Sequence, residues 1–175
     1  MSQPAILGPH ETPENTQARQ IALDELENPA VRLGVGYWRS LRGARRYPAR
    51  GDLRPRDMAG ILSHMILVKV LEDGDFEYRI VGDAQVQAYA RPFQGKRVSE
   101  VVRDWPVFGR IVKGIYTTVA GSGEPFALRG AVGRDFPDAK FVYSEHAFLP
   151  LGAQTVDHLM VVSHYAARPF ANGEN

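Results

Sequence analysis

The 175-residue sequence contains no cysteine. Disulfides, thiolate metal sites and a cysteine nucleophile are therefore excluded, and the composition suits a reducing cytosol. An excess of charge of either sign is also missing. Lys and Arg total 21 against 20 Asp and Glu, a formal net charge of +1, so no global field draws the chain to nucleic acid or to an acidic membrane. No run approaches the roughly 20 apolar residues of a membrane span. The N-terminus lacks the basic start and apolar core of a secretory signal. The expectation is a cytoplasmic protein with neither DNA nor a membrane as partner. Catalytic motifs are scarce as well. Gly34-Val35-Gly36 follows no predicted strand and lacks the third glycine of a dinucleotide loop. Asp135 and Asp138 fall in a predicted loop with no visible acid–base partner. Ser144-Glu145-His146 are consecutive in a predicted strand, where neighbours point to opposite faces, and this reading allows them no nucleophile–base pair. The chain is read as non-enzymatic.

What is present is a chain of ordinary globular composition, long enough for one domain with tails. It is organised around Asp75-Phe76-Glu77-Tyr78-Arg79-Ile80-Val81-Gly82. The apolar run Met65–Leu71 precedes it, and the intervening Asp73-Gly74 is a hairpin signal between two β-rich runs. Phe76, Tyr78 and Ile80 alternate with Glu77, Arg79 and Val81, which predicts one apolar face. Before this hairpin, residues Met1–Glu11 read as a tail and Pro13–Glu27 as a sparse helix capped by Thr12. Asn28-Pro29 opens a second helix with Val31, Val35 and Trp38 on one side, ending near Gly43. A short helix is predicted from Pro55 to about Leu62, and another over Asp83–Tyr89. The strongest helix starts after Pro106. Phe108, Ile111, Val112, Ile115, Tyr116 and Val119 form one stripe that Gly121-Ser122-Gly123 ends. Strands are then predicted over Phe126–Val132, Phe141–Leu149 and Val156–Tyr165, with Pro150-Leu151-Gly152 as the last turn. The resulting division is a tail with a possible helix over 1–28, a domain over 29–166, and a tail over 167–175.

This order of elements, with these residues, resembles the PAS domain superfamily, and more narrowly a compact bacterial PAS-like family. The residues that carry the resemblance are Tyr37-Trp38-Arg39-Ser40-Leu41-Arg42-Gly43, Pro48, Arg50, Asp52, Phe76 to Gly82, Gly95, and Leu149-Pro150-Leu151. The resemblance covers about Ala30 to Ala166. It implies an α+β fold, with a five-stranded antiparallel sheet in the order 2-1-5-4-3 and helices on one face. It also implies a ligand pocket between them and a sensing or scaffolding role in signalling, usually as a dimer, with no shared catalytic residues. Such domains usually accompany an output domain, for which this length leaves no room, so action through a signalling protein partner is expected. The rival is a small-molecule carrier or enzyme on a cone-shaped α+β fold, and strand order discriminates between the two.

Three sets of residues are candidates. Phe76, Tyr78, Ile80, Tyr89, Phe108, Ile111, Ile115 and Tyr116 line the expected pocket between sheet and long helix, where apolar walls with a few placed hydroxyls suit a small molecule. Core filling alone also accounts for them. Arg42, Arg45 and Arg46 stand in an arginine-crowded segment. Paired guanidiniums at Arg42 and Arg46 suit phosphates or a nucleotide, and near-zero net charge favours an acidic protein partner instead. His146, His158 and His164 share parity and are expected on one face, but no third ligand is apparent, so neither a metal nor haem is expected. The last set concerns assembly. Both faces of the last two strands carry apolar side chains, with Phe148, Met160 and Val162 read as one face and Leu149, Leu159 and Val161 as the other. The helix from Pro29 is the available cover for the second face. Ile21, Leu23, Leu26, Val31, Val35 and Trp38 are then expected to build a homodimer on the N-terminal helices. The alternative is that residues 13–27 fold back on their own domain.

Overall fold

The computed structural model describes residues 18–130 and 143–166. The predicted tails, Asp135, Asp138, Phe141 and the start of the first predicted helix lie outside the described residues.

A long hairpin forms the middle of the sheet. Strand β5 (Tyr143–Gly152) runs antiparallel to β6 (Val156–Ala166), with His146 opposite Ser163 and Phe148 opposite Val161. On the β6 side lie β2 (Met65–Val70) and then β3 (Phe76–Val81), joined through the predicted Asp73-Gly74 turn, where Gly74 has φ 81°. On the β5 side lie β4 (Phe126–Gly130) and then β1 (Arg19–Ile21). The order is β1-β4-β5-β6-β2-β3. Counted from β2, the five principal strands adopt the expected 2-1-5-4-3. β1 is a sixth strand added at the outer edge.

Both faces of this sheet are covered: the resemblance implies helices on one face only, whereas the helix from Pro29 covers the second, as its apolar side predicts. Helix α1 (Pro29–Arg42) packs on β5 and β6 from one side. Asn28 caps it, its Oδ1 accepting from Ala30 N (2.9 Å) and Val31 N (3.2 Å), and Pro29 occupies the first turn. The other face carries α2 (Asp83–Tyr89), α3 (Val98–Asp104) and α4 (Pro106–Ser122). Gly123, with φ 66°, ends α4 as predicted. Alternation along each strand therefore feeds two cores. Ile66, Val68, Phe76, Tyr78, Phe148, Leu159 and Val161 face α2–α4. Met65, Leu67, Leu149, Leu151, Met160 and Val162 face α1.

Four local expectations change. First, the described part of residues 13–27 is not helical but the strand β1 and then a 3-10 turn, Leu23–Glu25. An isolated helix with few apolar residues is marginal, whereas the free edge of β4 offers ladder hydrogen bonds. Second, a bulge interrupts β2–β3. Leu67 pairs with Ile80 while Val68 pairs with Tyr78, so Arg79 is the extra residue. A one-residue slip reverses the facing of every later residue in the strand. Ile80 thus leaves the face of Phe76 and Tyr78 and stands 37% exposed on the α1 side. Third, Pro150-Leu151-Gly152 extends β5, and the turn falls at 153–155. β4 stops opposite Phe148, so Pro150 lies beyond that neighbour, and its carbonyl accepts from Trp38 Nε1 at 2.8 Å. Fourth, the β5–β6 register puts Phe148 with Leu159 and Val161, and Leu149 with Met160 and Val162, the reverse of the predicted grouping.

α1 approaches β6 closely at Gly34, where an added Cβ would stand 2.6 Å from Val162 Cγ2 and 3.1 Å from its Cβ. At Gly36, two residues on and exposed, a Cβ would meet nothing within 4 Å. The two glycines make a matched test by urea unfolding. Gly36→Ala should stabilise by roughly 0.5–1 kcal/mol through helix propensity alone. Gly34→Ala should destabilise by about 1–3 kcal/mol, because overpacking outweighs that gain.

Candidate functional site: the polar cluster beneath the helices

The core under α2–α4 is dense in aromatic rings. Phe76, Tyr78, Tyr89, Phe108, Ile115 and Tyr116 are buried there together, and Ile111 packs partly buried against them. Of the eight predicted lining residues only Ile80 is elsewhere, removed by the bulge. Phe93, to which the sequence analysis assigns no role, lies among them. Its ring centroid is 5.7 Å from Tyr78 and 5.8 Å from Tyr89.

Polar groups converge at two places in this apolar volume. Tyr78 and Tyr116 share a hydrogen bond, with ring centroids 6.2 Å apart. Burial pushes the Tyr78 hydroxyl up to about 12, and burial, then the neighbouring Tyr78, raises Tyr116 well above the usual phenol range. Both stay neutral donors. The second place is on β5 and β6. His146 Nδ1 lies 2.7 Å from Ser163 Oγ, and Nε2 lies 2.8 Å from Ser144 Oγ. Ser144 Oγ donates to the Gly130 carbonyl at 3.3 Å. Ser144 has one hydroxyl proton, so this set of bonds assigns the imidazole proton to Nε2 and leaves Nδ1 accepting from Ser163. Tyr165 donates to Gln85 Oε1, and its oxygen lies beside the hydroxyls of Tyr89 and Ser163. Burial, then the nearby His164, holds His146 down to about 3. The cluster is neutral at physiological pH and rich in paired donors and acceptors.

This arrangement corrects two expectations. Ser144 and His146 are two residues apart on one strand, so they share a face and touch. They do so as hydrogen-bond donor His and acceptor Ser, the reverse of what a nucleophile requires. Glu145 points to the other face, where no contact orients His146. His146 also does not share a face with His158 and His164, since it pairs with Ser163 while His158 pairs with Leu151. Among the described residues no group of three or more His, Asp or Glu side chains is placed to hold a metal ion.

On the α1 side the same strand carries the buried Glu145, fully shielded from solvent. Its carboxylate accepts from Glu27 N (2.9 Å), Asn28 N (2.8 Å) and Arg129 Nε (3.0 Å). Arg129 is its direct cross-strand partner and also donates to the Glu25 carbonyl. Sequence reasoning passes over this pair. The available signal is Ser144-Glu145-His146 itself, three polar residues inside an otherwise apolar strand.

The N-terminal candidates are consumed by the same face. Ile21, Leu26, Val31, Val35 and Trp38 are buried in the chain's own α1-side core, and Leu23 packs partly buried against it. Residues 19–26 fold back on their own domain, and these side chains are not free for a two-fold contact. The candidate arginines are likewise engaged internally. Arg42 stacks over Trp38 at 5.3 Å, while its buried Nε has no hydrogen-bond partner among the described residues. Arg45 Nη2 donates to the Leu41 carbonyl at 2.7 Å and to Asp52 at 2.8 Å. Arg46 reaches the Ser122 carbonyl and Glu124, tying the loop after α1 to the end of α4.

The site thus sits in an antiparallel sheet covered on both faces, with a polar cluster beneath α2–α4. A family model described as "PAS domain" matches residues 26–155, and the chain belongs to that family. Domains of this family generally sense or regulate rather than catalyse. No curated protein and no solved structure matches the chain. Among the described residues no helix is long and apolar enough to cross a membrane.

The buried histidine makes stability depend on pH. The unfolded state binds a proton near pH 6.5, whereas folded His146 resists it down to about 3. Its contribution is therefore complete above pH 6.5 and falls by about 1.4 kcal/mol per pH unit below it. Urea unfolding between pH 7.5 and 5 should show this slope. His146→Gln, which keeps a donor and an acceptor for the two serines, should make it shallower and leave the part due to His164, whose imidazole burial also holds below its usual range.

Proposed function

We propose that this chain is a non-catalytic sensory domain of bacterial cytoplasmic signalling that binds a small neutral molecule between the sheet and α2–α4. It would pass the signal to a protein partner as a homodimer. The observation that supports this reading best is the polar cluster of Ser144, His146, Ser163, Tyr165 and Gln85 beneath the helices. An apolar core filled for packing alone gains little from so many converging polar atoms, because buried polar groups stabilise only when fully bonded. A ligand able to exchange hydrogen bonds with Tyr165 and Gln85 would repack them. β5 supports a route for the signal, since Ser144 and His146 under the helices alternate with Glu145, which holds the start of α1. The outer side of α1, where Leu33 is 56% exposed, offers a surface for a two-fold contact.

Native mass spectrometry of the chain purified from its own cells tests this. The expected result is a dimer carrying one small molecule per chain, with occupancy reduced at least several-fold in Tyr165→Phe. Bare polypeptide mass in both proteins would contradict the ligand, and a monomer at micromolar concentration would contradict the dimer.

A further inference from the structure

The bulge that removes Ile80 from the helix-side core builds a surface on the opposite face. There Arg50, Leu67, Lys69, Arg79, Ile80 and His158 enclose an open depression of about 290 Å³. Its side chains come from four separate elements. Lys69 on β2 lies between its cross-strand neighbours Glu77 on β3 and His158 on β6. Leu67 and Ile80, also a cross-strand pair, give an apolar floor. Arg50 enters from the 3-10 turn Arg50–Asp52. α1 packs on β5 and β6, so this corner of the sheet is left uncovered.

The charge here is local, since the chain as a whole is nearly neutral. Two carboxylates stand nearby, each already engaged: Glu77 with Arg79 at 2.5 Å and Asp157 with His158 at 2.8 Å. Arg50 and Lys69 make no ion pair among the described residues. Arg45 and Arg46 of the same crowded segment, by contrast, are matched to Asp52 and Glu124. Arg50 thus differs from these two in facing the depression.

We propose that this depression is the docking site for an acidic segment of a partner protein, with carboxylates meeting Arg50 and Lys69 and an apolar side chain resting on Leu67 and Ile80. A buried phosphate would need convergent, pre-organised donors such as backbone amides or a bidentate arginine clamp. Here the donors are long side chains on an open sheet surface. Nucleic acid would need a wider basic stripe with interleaved aromatics, and here Glu77 and Asp157 interrupt the cations. An extended acidic chain fits both the alternation of charge and the apolar floor. The site is separate from the helix-side core and does not depend on a ligand there.

Fluorescence anisotropy tests the docking on the full chain with no small molecule added. The probe is a fluorescein-labelled peptide of alternating Glu and Leu. Saturable binding that weakens with added salt is expected. Arg50→Gln combined with Lys69→Gln should raise Kd about tenfold, as the loss of two exposed ion pairs implies. Arg110→Gln, on exposed α4 surface across the sheet, should leave Kd unchanged. Circular dichroism melts matching those of the parent establish that each variant is folded. Absence of saturable binding, or equal weakening by Arg110→Gln, would overturn the proposal. Displacement of the peptide by inorganic phosphate or a short DNA duplex at lower concentration than by unlabelled peptide would overturn it as well.

Discussion

The contact on which most of this structure depends is the carboxylate of Glu145. It is fully buried, and a buried charge persists only when paired and hydrogen-bonded. Arg129 across the ladder supplies the opposite charge, and the backbone amides of Glu27 and Asn28 supply the remaining donors. Those amides lie at the entry to α1, where the partial positive charge of a helix N-terminus favours an anion. One side chain thus joins β4, β5, the N-terminal segment and the cover of the second face. It also fixes register. A slip of one residue would drive Glu145 into the aromatic core beneath α4 without a partner, and breaking such a pair typically costs about 3–5 kcal/mol.

The same alternation sets what the other face can do. With Glu145 committed to the α1 side, Ser144 and His146 must point under the helices, opposite Tyr165 and Ser163. Their hydrogen bonds are mutual and neutral, a consequence of burial that keeps the imidazole unprotonated and the phenols undissociated. The core of this PAS domain therefore holds a polar cluster without charge. Charge is kept on the uncovered corner of the opposite face, among Arg50, Lys69 and Arg79.

Much of the fold is legible from periodicity. The α4 stripe, the Asp73-Gly74 hairpin and the Asn28-Pro29 start of α1 each rest on local chemistry, and each stands where local rules put it. Where expectation and structure part, the deciding term is non-local. Phe76-Glu77-Tyr78-Arg79-Ile80 reads as unbroken alternation, and only its pairing with β2 reveals the bulge. The register of β5 on β6 depends on whether the chain turns at 150–152 or at 153–155. Gly152 N donates to the Pro48 carbonyl at 2.9 Å, holding the strand extended past Pro150. That distant contact is invisible to a local turn rule. The helix expected before Asn28 yields to the edge of β4 for the same kind of reason. The candidate pocket is legible as a stripe of rings, but the Gln85–Tyr165–Ser163–His146 network is not, because its members come from α2, β5 and β6 and meet only once the register is known.

Through β5 the polar cluster under the helices and the N-terminal cover form one coupled unit. Amide hydrogen exchange at Glu27 and Asn28 tests it most directly when the parent is compared with His146→Gln. A change confined to the helix-side core should speed exchange at these two amides across the sheet, ahead of the amides in the outer turns of α1. Exchange altered only around Ser144, Ser163 and α2, with Glu27 and Asn28 unchanged, would contradict it.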